Sequence, residues 1–387
     1  MTASRTAEKR ALLLSFAAFG SFWGAFAALL PDLRRQVGVE DGELGLALGA
    51  IAVCALPAMP LAGRLVDRSG AARVVPVTLV GFAVAVTPLG FATSLPGLVL
   101  SLALLGAVTG AYDVALNTAT AAWERLEGAP LMAAVHGSFS AGVLVGGVLT
   151  GLARQAGAGP RLVLPVVAVL LAALAFSQPA YRRVPSMAEG GAGGRRLGTV
   201  LLLLGGLVGA AFLVEDGLQS WSALHLERTL GAAPAVGGLG PGLFAGAMAV
   251  GRFGAHVLVP VGKEVIAVAV GGSCIAAGAL VFAFAPAPGL ALAGLVLAGL
   301  GSAVLAPILL SAVGARATPG RQGADLAAVT ALGYSGFIAG PPLVGLLSGL
   351  TSLPTALALL AVLGAALAIG GPTVLRLPVH RPAAAAP

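Results

Sequence analysis

The chain reads as long apolar runs broken by short polar segments, with almost none of the period-two alternation that marks the strands of a membrane barrel. Twelve runs come close to or exceed the roughly 20 residues a helix needs to cross about 30 Å of hydrocarbon. Their expected limits are Ala11–Pro31, Leu44–Gly63, Val74–Ala92, Gly97–Thr120, Leu131–Leu152, Leu162–Gln178, Gly198–Val214 running on toward Trp221, Ala235–Val257, Val265–Ala285, Leu290–Val313, Ala324–Leu350 and Pro354–Leu375. Backbone polar groups in lipid must be satisfied within their own segment, so runs of this kind are helices.

Composition agrees with the pattern. Hydrophobic residues make up 58% of the 387, charged residues 10%, and mean hydropathy is +0.99, where a soluble domain would be about a quarter charged. The first run follows a basic start but is too long for a signal-peptide core, so it is expected to remain in the mature protein. Cys54 and Cys274 fall inside spans, far apart in sequence, and read as small buried apolar residues.

The formal charge of +7 matters through its distribution. With the amino terminus inside, seventeen of the 22 Lys and Arg residues fall in cytoplasmic segments, and only Arg34, Arg35, Arg154, Arg161 and Arg228 fall outside. This asymmetry predicts that both termini are cytoplasmic. The basic residues serve topology and the headgroups of the lipid bilayer, and no aromatic-interleaved patch points to nucleic acid.

The longest polar stretch, Tyr181 to Gly198, is rich in Gly and Arg. It divides the chain into a first six-helix half (1–180), a cytoplasmic linker (181–197) and a second six-helix half with a short cytoplasmic tail (198–387). The halves repeat. "GVLVGGVLTGL" from Gly142 aligns with "GFIAGPPLVGL" from Gly336 at an offset of 194 (336 − 142), pairing Gly146 with Gly340 and Gly151 with Gly345. Duplicated halves are what alternating-access carriers are built from, with the site at the interface. Rows of small residues at every fourth position predict close helix packing, and Pro341 and Pro342 remove two backbone donors from the eleventh span. The predicted fold class is an all-α polytopic membrane protein, twelve transmembrane helices in two pseudo-symmetric six-helix halves.

The segment after the second span, "GRLVDRSGAAR" from Gly63 to Arg73, resembles the signature loop of the major facilitator superfamily. Gly63, Leu65, Asp67, Arg68 and Gly70 match, while Ala71 and Ala72 depart from its basic tail. The resemblance implies an inner gate of Gly63, Asp67, Arg68 and Gly70, with Arg252 joining from the second-half Gly251-Arg252. Asp67 sits at a helix end beside an arginine, and Gly70 permits the tight turn. Within the superfamily, Asp113 and Asn117, then Met132, His136, Phe139, Ser140 and Gly142, resemble the bacterial branch related to fucose permease. Sugar permeases of that branch carry a second acid in the first span; here Phe26, Ala27 and Ala28 stand at that depth, and Asp32 lies beyond Pro31 toward the outer surface.

A carboxylate inside hydrocarbon is expensive and marks function by default. Asp113 and Asn117, four apart, share a helix face, and His136 falls at a depth that allows an Asp113–His136 pair. These two are the candidate proton-coupling residues. Glu215, Gln219 and Trp221 either form a cavity or outer-gate segment, with the helix broken at Gly217, or an ordinary helix end with an interfacial tryptophan. Trp23, Tyr112, Asn117 and Tyr334 complete the candidate cavity residues. The cysteines and the histidines His136, His225, His256 and His380 form no catalytic or metal set at a recognised spacing, and no phosphate-cradling Gly-Lys-Ser/Thr loop occurs. The expected protein is therefore not an enzyme and holds no cofactor. It is a proton-coupled secondary transporter of a small organic solute, working as a monomer in the cytoplasmic membrane. Drug or metabolite efflux and a non-transporting sensor on the same fold are the rivals. Exporters carry Gly-x-x-x-Gly-Pro in the fifth span, whereas this chain has Gly142-x-x-x-Gly146-Gly147 there and Gly336-x-x-x-Gly340-Pro341 in the eleventh.

Overall fold

The computed structural model describes residues 2–178, 197–258, 260, 262–317 and 322–377. The linker up to residue 196, Arg321, His380 and the side chain of His256 lie outside the described residues. Twelve α-helices occupy what is described: α1 Thr2–Val37, α2 Asp41–Ser69, α3 Ala71–Phe91, α4 Leu95–Glu127, α5 Met132–Gln155, α6 Pro160–Phe176, α7 Thr199–Leu224, α8 Pro234–Leu258, α9 Glu264–Phe284, α10 Pro288–Arg316, α11 Gln322–Leu350 and α12 Leu353–Leu375. Eleven are long and apolar enough to cross a membrane, and α6 is a shorter apolar helix.

Several helices outrun their apolar cores. α4 continues seven residues past Thr120 to Glu127 and stops at Gly128, a left-handed cap with φ 64°. The signature segment after the second span is mostly helix: α2 runs through Asp67 and Arg68 to Ser69, and Gly70 alone joins it to α3. Its φ of 81° lies where a side chain would be strained, which is why a one-residue reversal is available here. The expected break at Gly217 is absent. α7 passes through it unbroken, and a Cβ there would lie 3.0 Å from Leu360 on α12, so this glycine allows close packing. The irregularity comes later, as a π-helical turn over His225–Thr229.

Packing repeats between the halves. In the first, α1 packs on α5, α2 on α4, and α3 on α6 and α4; in the second, α7 packs on α11, α8 on α10, and α9 on α12 and α10. The aligned glycines occupy matching seams. A Cβ on Gly142 would collide with the Ala17 carbonyl of α1, and one on Gly336 with the Gly209 carbonyl of α7. Without a hydrophobic drive between helices in lipid, such close backbone approach supplies the contact.

The halves meet where α5 packs on α8 and α11 packs on α2. A Cβ on Gly151 would lie 2.9 Å from the Pro234 carbonyl oxygen, and one on Gly345 2.6 Å from Gly45 Cα. Gly345 follows Gly151 by the same 194 residues (345 − 151). Both seams lie at the end of the bundle opposite the start of α1, the far end. α5 and α8 stay in touch down to Gly137 and Phe253, but α2 beyond Gly49 presents Val53, Leu61 and Leu65 exposed. Contact of α4 with α10 or α11 is at most marginal among the described residues. The halves are thus joined at both seams at the far end, while toward the near end α5 stays on α8 and α4 stands apart from α10 and α11 among the described residues.

Candidate substrate cavity and gates

Asp113 sits near the middle of α4, half-buried on the face toward the gap between the halves. Asn117, one turn on, donates to the Asp113 carboxylate at 3.0 Å and to its carbonyl at 2.9 Å. No cation pairs with Asp113 among the described residues. The expected Asp113–His136 pair does not form, because α5 packs on α1 far more than on α4. The His136 ring instead meets Phe16 edge-on at 5.3 Å, within electrostatic range of Arg252.

Tyr334 of α11 faces Asp113 across the gap and interacts electrostatically with it and with Glu215. It belongs to an aromatic group with Phe212 and Phe337, whose rings stack at 4.4 Å. Glu215 and Asp216 are half-buried in the continuous middle of α7 and not at a helix end. The Ser220 hydroxyl donates to Asp216 at 3.2 Å. Arg252, expected at the inner gate, reaches inward, with Nη2 4.0 Å from the Glu215 carboxylate. Gln219 is half-buried one turn beyond Glu215.

Three cavity candidates stand elsewhere. Tyr112 is fully buried inside the first half, 5.4 Å from Phe19 and 5.8 Å from Phe82. Successive helix positions diverge by about 100°, so Asp113 can face the gap while its neighbour faces the core. Trp221, 1% exposed, is likewise core and neither lines the cavity nor belongs to an aromatic belt. Trp23 remains half-buried, packed among Phe19, Phe22 and Phe26. Cys54 and Cys274 are free and only partly buried.

The sequence missed the far-end ionic clasp. Arg154, at the last turn of α5 with its side chain 1% exposed, donates to Asp32 of α1 at 2.7 and 2.8 Å. It also donates to Glu227 of the π-turn at 2.5 and 2.8 Å. Arg35 adds a second contact to Asp32. Beside it, Asp41 at the start of α2 accepts from Arg34 at 2.9 Å, from Arg228 and from Ser348 of α11 at 2.5 Å. Asp32, expected at the outer surface, is therefore a clasp member. Arg34, Arg154 and Arg228, expected to serve topology alone, are clasp donors as well. The available signal was the repeat itself, since Ser348 follows Arg154 by the same 194 residues (348 − 154).

The sequence profile of the Major Facilitator Superfamily matches residues 11–288, and the chain belongs to that family of transporters, not of enzymes. It is 30% identical to an uncharacterised MFS-type transporter of Yersinia pestis over 90% of this chain and 91% of that one. It is also 30% identical to the membrane protein MosC of Rhizobium meliloti, over 92% and 87%. Among solved structures, a bacterial homologue of the human lysosomal transporter Spinster, inward-facing and unoccupied, superposes with TM-score 0.76 at 15% identity, covering 97% of this chain and 98% of that one. The nucleoside transporter NupG superposes with TM-score 0.72 at 13% identity, covering 96% and 100%. These structural likenesses concern the fold.

Proposed function

We propose that this multi-pass membrane transporter carries a small organic solute across the cytoplasmic membrane by rocking its two halves, and that protons drive it through Asp113. The observation that carries the reading is the carboxylate of Asp113, held among the described residues by the Asn117 amide without a cation and within electrostatic range of Tyr334 of the other half. A mid-membrane carboxylate without a cation is costly when ionised, so it takes up and releases a proton as access switches sides. The basic residues concentrated at the near end support placing both termini in the cytoplasm. In that orientation the far-end clasp faces outward, and the conformation described is inward-facing. Asp67, Arg68 and Gly70 then lie at the cytoplasmic end, where they gate the opposite state, and the protein works as a monomer.

The test begins with thermal stabilisation of the purified protein by polar and by apolar solutes, which supplies a ligand for flux in proteoliposomes. Asp113→Asn should abolish net flux driven by a pH gradient while binding persists. Net flux at the wild-type rate in that variant would sink the proton reading, and a ligand that binds without any flux would favour a sensor. Export is the second reading, supported by the apolar and aromatic lining around Phe212 and Phe337.

A further inference from the structure

The interior charges of the cavity do not balance. Among the described residues, mid-membrane acids are Asp113, Glu215 and Asp216, and the one arginine at that depth, Arg252, lies against Glu215. Asp113 is the proton site of the proposed function, on which this inference rests. That leaves Asp216, whose carboxylate has the neutral Ser220 hydroxyl and no cation. Asp216 stands one helical turn from Phe212, on the same face of α7. Phe212 in turn joins Tyr334 and Phe337, with ring centroids 4.4 to 6.0 Å apart and all three rings only partly buried. A carboxylate without a cation beside several aromatic faces attracts one kind of solute. A positive charge satisfies the acid, and ring quadrupoles stabilise the same charge from the side. A sugar would need fixed donors and acceptors, and Gln219 and Asn117 offer few, with Asn117 already committed to Asp113.

We infer that the solute is an organic cation, an amine or quaternary ammonium, whose charge sits between Asp216 and the aromatic group of Phe212, Tyr334 and Phe337. The division places substrate charge on the second half and the transported proton on the first. Rocking of the halves then brings both to the same side of the membrane.

The test uses the full chain in detergent and benzyltrimethylammonium as the probe, with benzyl alcohol and benzoate as neutral and anionic counterparts. The cation should bind and the other two should not. Asp216→Asn should weaken binding by about tenfold or more and Asp216→Glu should restore it, while Phe337→Leu weakens it severalfold. Asp113→Asn should keep the affinity and lose pH-driven uptake of the same probe. Absence of cation binding at millimolar concentration, equal binding of benzoate or benzyl alcohol, or unchanged affinity in a folded Asp216→Asn protein would each overturn the inference. Intact binding without flux in the wild type would instead overturn the transport reading and leave the ligand class standing.

Discussion

Arg154 Nη1 lies 2.5 Å from Glu227 Oε1, and this bond ties α5 of the first half to the π-turn that follows α7 of the second. The same guanidinium holds Asp32, so one arginine neutralises two carboxylates where the halves meet. Removing one partner of a buried ionic set leaves the others uncompensated, at a cost of roughly 3–5 kcal/mol. Arg154→Gln should therefore destabilise the far-end-closed state. A cysteine introduced at Ser348 should become reactive to an impermeant maleimide added from outside. The double variant Glu227→Gln with Arg154→Gln should cost less than the two single effects added, because Glu227 is no longer left charged without Arg154 and Asp32 keeps Arg35. Additive costs and an unreactive cysteine would mean that the clasp does not hold this end shut.

The seam beneath the clasp depends on missing side chains. A Cβ on Gly238 would collide with the Gly147 carbonyl and lie 2.8 Å from Gly151 Cα, whereas one on Gly206 meets nothing within 4 Å. Gly238→Val should push α8 off α5 and raise outside accessibility, as Arg154→Gln does. Gly206→Ala should leave accessibility unchanged and stability no lower, since its Cβ meets nothing and alanine favours the helix. Cysteine labelling at Ser348 in both backgrounds reads the difference, and equal labelling would remove the seam from the closing mechanism.

At the near end, Asp67 and Arg68 close the last turns of α2, and Gly70 turns the chain directly into α3. These residues stand clear of the cavity, so Asp67→Asn should lower turnover with little change in substrate affinity. Gly70→Ala should lower thermal stability by about 1 kcal/mol or more, since its φ of 81° suits only glycine. A normal rate in Asp67→Asn would argue against an inner gate at this place.

The fold was legible because its signals are long and redundant. Apolar length located the helices, and the Gly142/Gly336 repeat foretold equivalent seams on Ala17 and Gly209. The cavity was legible only in part. Residue type marked Asp113, Glu215 and Tyr334, but helix phase decided which side chains face the gap, and phase sends Tyr112 and Trp221 into the core. Helix ends were harder still. Gly217 looked like a break because glycine lowers helix propensity, yet packing against Leu360 holds the helix through it. Only the 194-residue repeat hinted at the clasp, because Asp32, Arg154 and Glu227 are distant in sequence, and each alone resembles an ordinary loop charge.

Arg252 and Glu215 offer the last test, since a pair 4.0 Å apart inside the membrane stabilises little on balance yet costs much when broken. Arg252→Gln removes the cation from Glu215 and the positive neighbour from His136 together. Transport should fall by about tenfold or more, and adding Glu215→Gln should recover part of the loss, since the double variant no longer leaves Glu215 as a carboxylate stripped of its cation. Rates measured in proteoliposomes at equal protein loading would show the recovery. A double variant as inactive as Arg252→Gln would instead assign Arg252 a direct contact with the solute, beyond neutralising Glu215.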